Sequence, residues 1–321
     1  MAAGMPMLVD LRQVSVAQVE DLLAEQVAVW RDRFDWDLAA AVEMVMRLVR
    51  AQDLGGFALL DGSSVSGYCY FVSEERKGLI GDLYVANEKR AGGENEVRLL
   101  AAALRALATT PNVTRAETQF LVLSHEARAR MPFPMQLHSF ERHFMKADMS
   151  RATSLPESAG AAQADYFNWH PRERESAARL IARAYADHVD SRINDHYRTI
   201  GGARKFLENV LEYPGCGSFY EPASLVALDK ASGRLLGVCL SSLVAFDVGH
   251  ITQVCVSPEA QGRGVGYELV RRAAGAFGRA NCRAVSLTVT AANLDAVRLY
   301  GRMGFSSSST FEAFVWEKLG L

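Results

Sequence analysis

One pattern occurs twice in this chain. Leu79-Ile80-Gly81-Asp82-Leu83-Tyr84-Val85 aligns with His250-Ile251-Thr252-Gln253-Val254-Cys255-Val256, so that Arg90 falls opposite Gln261 and Gly93 opposite Gly264. Upstream, Gly67-Tyr68-Cys69-Tyr70 matches Gly237-Val238-Cys239-Leu240 with one residue of slippage. Each copy reads as an apolar strand, a glycine-bearing turn and a helix with good helix formers. Self-similarity of this kind means one fold built twice, and 321 residues fit about two domains. Residues 150–164 are rich in Ser, Ala, Gly and Pro and read as a linker. The expected domains are therefore 1–149 and 165–321.

The periodicities place helices near 15–30, 38–52, 95–109, 171–188, 203–212, 265–280 and 293–303. Strands are expected near 56–60, 67–72, 79–85, 116–123, 140–148, 224–229, 236–246, 251–256 and 284–290, with two more closing the chain. The expected class is α/β (α+β), each half a mixed and mostly antiparallel sheet flanked by helices.

Composition narrows the function. A net charge of −2 gives no electrostatic case for nucleic acid as the main partner. The first eleven residues include Asp10 and lack the apolar core of a signal peptide, and no apolar run has the length of a membrane span. Cys69, Cys216, Cys239, Cys255 and Cys282 lack metal-ligand spacing and read as free thiols in a reducing compartment. A cytoplasmic protein is the expectation.

The second copy carries the chemistry. Between its strand and its helix lies Gln261-Gly262-Arg263-Gly264-Val265-Gly266, preceded by Val-Ser-Pro. Glycines let the backbone approach a ligand, and the free N–H groups at a helix start attract an anion, most naturally a phosphate or pyrophosphate. No Gly-Lys-Ser/Thr follows, and the register is not that of a dinucleotide loop. A second motif comes in order: Asn293-Leu294-Asp295-Ala296-Val297-Arg298-Leu299-Tyr300, then Gly304-Phe305. With these two motifs the stretch from about Leu235 to Lys318 resembles the GNAT superfamily of acyl-CoA-dependent N-acetyltransferases. It is similar in particular to the branch that acetylates ribosomal-protein N-termini. The tandem arrangement also resembles two-domain members such as mycothiol synthase, in which one half is catalytically silent.

The resemblance implies acetyl-CoA as co-substrate, no metal, and direct transfer of acetyl to an amine. It implies that the strand before the loop splays from its neighbour, so that Val254, Cys255 and Val256 form the cofactor-binding stretch and the amides of Val254 and Val256 face the thioester and pantetheine arm. Amides from Gly262 through Val265 to Gly266 would cradle the pyrophosphate, with Gln261 opening the loop and Arg263 reaching a phosphate. Tyr300 takes the family position of the acid that protonates the leaving thiolate. Asn293 reads both as a helix N-cap and as a cofactor contact. His250, at the entrance to the splayed strand, is the expected general base because an imidazole titrates near neutrality, with Glu221 and Asp247 in reserve. Cys255 reads as a core thiol.

The first copy departs from this pattern. Asn95 stands opposite Gly266, Glu94 and Glu96 flank it, and Arg130-Met131-Pro132-Phe133-Pro134 breaks the helix where the second motif should lie. It reads as a degenerate scaffold. Asp187, His188, Asp190, Asp195 and His196 crowd one short stretch without a metal signature; the resemblance implies that this connection lines the acceptor site, where its acids would attract a cationic amine. The acceptor is left open between a small-molecule amine and a peptide or protein N-terminus, and the protein between monomer and homodimer. Two alternatives stand beside transfer to an amine: an acyl-CoA-binding sensor or scaffold without turnover, and an acyltransferase using another thioester donor.

Overall fold

The computed structural model describes residues 5–213 and 215–320. In chain order the strands are β1 Met7–Asp10, β2 Gly56–Asp61, β3 Ser64–Glu74, β4 Lys77–Val85, β5 Arg115–Phe120, β6 Leu137–Asp148, β7 Ala164–Asn168, β8 Ser218–Phe219, β9 Leu225–Asp229, β10 Leu235–Ala245, β11 Val248–Val256, β12 Ala284–Thr290 and β13 Ser306–Glu317. The helices are α1 Val16–Phe34, α2 Ala39–Arg50, α3 Glu94–Thr109, α4 His125–Arg128, α5 Met149–Ala152, α6 Arg174–Ala184, α7 Asp190–Ile193, α8 Ile200–Glu212, α9 Val265–Arg279 and α10 Leu294–Arg302.

Two compact units result, and neither is a continuous half of the chain. The first takes the chain up to Phe34, Leu38–Phe140 and the stretch from Phe311 onward. The second takes Asp35–Asp37 and Glu141–Thr310. In the first unit, β1 to β5 follow one another in the sheet, and β13 closes it against β5 from Glu312↔Phe120 to Glu317↔Arg115. In the second, β7, β9, β10, β11, β12 and β6 lie in that order, with β8 added beside β10. Among the described residues, the strand pairs given for each unit are antiparallel except β4–β5 in the first and β11–β12 in the second.

The expected boundaries at 149 and 165 are thus corrected by strand exchange. Residues 142–148 precede the segment read as a linker yet pair with β12, and the last strand of the chain completes the first unit. The two closing strands expected from the sequence are the single strand β13. An alternating pattern says which face of a strand is apolar but not which sheet receives it. Phe314 and Trp316 of β13 are buried in the first core, where the Trp316 indole donates to the Pro132 carbonyl at 2.8 Å. Truncating either to alanine costs roughly 3–5 kcal/mol. The segment 150–164 is ordered as well: the Pro156 carbonyl accepts from the Tyr267 hydroxyl at 2.9 Å, and the Ser158 hydroxyl donates to the Gly264 carbonyl at 3.2 Å.

The sheet of the second unit buries both faces. Val285, Leu287 and Val289 of β12 pack with Leu269, Val270 and Phe277 of α9. On the opposite face, Val238, Leu240 and Cys255 pack with Ile181 of α6 and Leu207 of α8. What remains open is a gap within the sheet itself.

Candidate active site

The parallel pairing of β11 with β12 runs from Val248↔Ala284 to Ile251↔Leu287 and then stops, although the strands continue to Val256 and Thr290. A bulge at the same level separates them: Leu240 pairs with Gln253 and Ser241 with Ile251, leaving Thr252 over. A bulge bends and twists its strand locally, which turns the end of β11 away from β12. The Val254 carbonyl accepts from the Tyr185 hydroxyl at 3.3 Å and the Val256 carbonyl from the Gln261 amide at 3.3 Å, so neither faces β10. In an extended strand a residue's N–H and C=O point to the same side. Val254 and Val256 therefore present their N–H groups to the gap, while Cys255 pairs with Val238.

The loop after β11 meets the opening. Gly262 and Gly264 have φ of 74° and 85°, in the left-handed region that side chains disfavour. Gly264 is the N-cap of α9 and no side chain caps that helix, so the N–H groups of Val265, Gly266 and Tyr267 are available to an anion. Val265 is buried and anchors the helix, whereas Arg263 is exposed on the loop. A Cβ on Gly266 would stand 3.3 Å from Val256, which shows how closely the helix start approaches the strand end. Gln261 acts on the loop itself, its side chain buckling back onto Val256.

Across the gap, Asn293 caps α10: its Oδ1 accepts from the Ala296 N–H at 3.3 Å, and its Nδ2 lies 3.1 Å from His188 Nε2. Tyr300 is half-buried, edge-on to Phe305. Burial, with Cys239 and Asp190 nearby, holds its phenol above the usual range, so it keeps its proton at neutral pH. Burial likewise pushes the Cys255 thiol up to about 12 and leaves it no nucleophile at neutral pH.

His250 does not have the properties expected of the base. It is 3% exposed, with its ring 4.9 Å from Trp36 and stacked on Phe144 at 6.4 Å. Its Nδ1 lies 2.9 Å from the Ser286 hydroxyl. Burial first, and the charge of Arg142 second, push it down to about 3. Such an imidazole is neutral at pH 7 but far too weak a base to hold an ammonium proton. The position near the splay was legible in the sequence; the aromatic cover was not, because Trp36 comes from the distant segment Asp35–Asp37. The reserves fare no better: Asp247 is bound to Arg283 at 2.9 Å, and Glu221 is exposed on a turn.

The acidic stretch does reach the gap. Asp190 accepts a hydrogen bond from Thr290, its N–H donates to His188 Nδ1 at 3.1 Å, and its charge bears on Tyr300, Tyr185 and Tyr197. Tyr185 and Tyr197 stack at 4.6 Å and both engage the Gln253 side chain, at 2.7 and 3.0 Å. Arg142 of β6 donates to the Thr288 hydroxyl at 3.3 Å. Arg142, Gln253, Thr288, Thr290, Tyr185 and Tyr197 went unremarked in the sequence. The alternation Ser286-Leu287-Thr288-Val289-Thr290 was the available sign of a polar face on a buried strand.

The first unit repeats the framework with a different filling. Pairing of β4 with β5 stops at Leu79↔Glu117, and a bulge again lies beside it, between Tyr70 and Phe71. Gly93 has φ 67° and caps α3, and Arg90 donates to the Val85 carbonyl at 2.8 Å as Gln261 does to Val256. But the side chain of Asn95 donates to the Lys89 carbonyl at 3.0 Å. The buried Glu96 carboxylate accepts from the N–H and hydroxyl of Ser124 and lies 3.5 Å from Arg90. A Cβ on Gly93 would come 2.5 Å from the Ala127 nitrogen, so α4 sits directly on the loop.

Comparison with known proteins agrees with this geometry. The profile of the acetyltransferase (GNAT) family matches residues 191–305. Mycothiol acetyltransferase of Mycobacterium sp. (strain JLS) is 37% identical over 102 residues, which cover 30% of this chain and 34% of that protein. An uncharacterized N-acetyltransferase of Methanocaldococcus jannaschii is 34% identical over 94 residues, 29% of this chain and 54% of that one. The chain thus matches about a third of the length of the mycothiol acetyltransferases. Among solved structures, a GCN5-related N-acetyltransferase from Sphaerobacter thermophilus superposes with a TM-score of 0.68 at 18% identity, covering 98% of this chain and 96% of that one. A tandem GNAT protein from the clavulanic acid biosynthesis pathway gives 0.63 at 15% identity, covering 97% and 98%. Among the described residues no group of three or more His, Cys, Asp or Glu is placed to hold a metal, and no helix is long and apolar enough to cross a membrane.

Proposed function

The chain belongs to the GNAT superfamily of acetyltransferases, and from that premise we propose that its second unit transfers acetyl from acetyl-CoA to a primary amine by direct attack. One observation carries the reading: the α9 N-terminus, the N–H groups of Val254 and Val256, the Tyr300 phenol and the Asp190 carboxylate all belong to the surroundings of one gap in one sheet.

The residues fit the co-substrate. The uncapped first turn of α9 suits a pyrophosphate, and the edge of β11 offers amide donors to a pantetheine chain and to a polarised carbonyl oxygen. Acetyl-CoA, when bound, supplies a thioester acetyl group and leaves as a thiol. Tyr300 holds a proton on its phenolic oxygen at neutral pH and is the acid of the site. Asp190 replaces His250 as the group that meets the amine: its carboxylate, kept in place by Thr290, attracts and orients the ammonium, whose proton leaves to solvent before attack. Cys255, buried and held protonated, argues against a covalent acyl-enzyme.

The test is release of free thiol from acetyl-CoA in the presence of a panel of primary amines and short peptides. Amine-dependent thiol release, with the acetyl group recovered on the amine, is the expected result. Tight binding of acetyl-CoA with no acylated amine across the panel would leave the protein a binder and overturn the reading.

A further inference from the structure

The gap has charges of both signs on one face of one strand. In β12, Ser286, Thr288 and Thr290 alternate with the core residues Val285, Leu287 and Val289 and so share a face. Their hydroxyls are partnered in turn by His250, Arg142 and Asp190. Arg142 is the register partner of Thr290 on the neighbouring strand β6, which puts its side chain on that same face, and it reaches Thr288 diagonally. Asp190 arrives from the other side, at the start of α7. The two hydroxyls that hold them are two residues apart, about 7 Å along the strand. Tyr197 lies in the field of both, raised by Asp190 and lowered by Arg142.

We propose that the acceptor is an amino acid-like molecule carrying an anionic group a few bonds from its amine, with the ammonium placed at Asp190 and the anion at Arg142. The inference rests on the acyltransfer reading above and adds the substrate class. A guanidinium presents several donors in a plane and matches a carboxylate with two parallel bonds, so an acceptor bound at both ends is oriented as well as attracted. A neutral amine would forgo the added bonds to the guanidinium, and a diamine would set a second cation beside it and be repelled. His250, neutral at working pH, adds no competing cation to the floor.

The test is a matched series: glycine, β-alanine and 4-aminobutyrate, each beside its carboxamide, assayed with acetyl-CoA on the full chain, on Arg142→Gln and on Arg142→Lys. For the length that spans the two charges, the wild type should use the acid at least tenfold better than the amide in kcat/KM. Arg142→Gln should use the two alike, and Arg142→Lys should restore part of the preference. A merely structural role for Arg142 would depress acid and amide together and overturn the proposal, as would a wild type indifferent to the carboxylate. Should no probe be acetylated, calorimetric binding of the same pairs in the presence of coenzyme A separates the two claims. Acid binding lost in Arg142→Gln upholds the substrate class and sinks only the transfer reading; acid binding no tighter than amide binding, or none, overturns the substrate class itself.

Discussion

The loops at Gly93 and Gly264 share a backbone and differ in what occupies it. Both glycines are left-handed N-caps, and both loops are buckled to the strand end by a side-chain donor, Arg90 or Gln261. Both are followed, after the next strand, by a helix with the same type of cap: Ser124 accepts from the Ala127 N–H at 3.1 Å as Asn293 does from Ala296. Around Gly93, however, the chain covers the loop with α4 and its cap. Glu96 takes the donors of Ser124, and burial holds its carboxyl above the usual range against the pull of Ser124 and Arg90. α4 then ends at Arg128, and Met131 stands where the other copy has Tyr300. A thioether holds no proton to give. The comparison teaches that one backbone can carry an open helix start in one copy and a covered one in the other.

That contrast can be broken most sharply at the glycines. Gly264→Glu forces a left-handed side chain and a carboxylate onto the helix start, and acetyl-CoA affinity should fall by at least about 100-fold. Gly93→Glu is equally strained and collides with Ala127; it should lower the melting temperature and leave acetyl-CoA affinity unchanged. Equal losses of affinity in the two variants would end the distinction.

A similar but smaller difference is expected one helix later. Tyr300→Phe should lower kcat by about 100-fold, the usual scale for losing a positioned acid, with little change in acetyl-CoA binding by calorimetry. Met131→Leu should alter neither. Next comes Asp190→Asn, which should raise KM for the amine about tenfold through loss of a charged hydrogen bond, read from initial rates against amine concentration.

A separate effect, on stability alone, falls on His250, whose counterpart in the first copy is Leu79. The unfolded imidazole titrates near 6.5 and the folded one near 3. Below pH 6.5 the unfolded state therefore takes up a proton that the native state refuses. Stability present above pH 6.5 is lost as pH falls toward 3, by up to about 1.4 kcal/mol per pH unit. Denaturant melts of His250→Gln across this window should show a flatter dependence than the wild type; an unchanged slope would mean that the imidazole is not held neutral.

The repeat, the loops and most elements were legible in the sequence because their causes are local: glycines at positive φ, alternating apolar residues, a cap before a periodic helix. The helix expected at 265–280 is Val265–Arg279, and the strand at 284–290 is Ala284–Thr290. What stayed hidden was set by contacts distant in sequence. Strand β13 joins β5, the segment Asp35–Asp37 joins the second unit and carries Trp36 onto His250, and Arg142 reaches Thr288 from a strand assigned to the other half. The histidine was judged by its intrinsic pKa, and its burial reversed that judgement. Asp190 was noticed as one acid in a crowd; only the fold singles it out, by bringing Thr290 to it.

The central claim is that one chain holds one open cofactor loop and one covered loop. Calorimetric titration of the full chain with acetyl-CoA tests it most directly through the stoichiometry. One site per chain, abolished by Gly264→Glu and retained in Gly93→Glu, is the expected result. Two sites per chain, or a single site that survives Gly264→Glu, would contradict it.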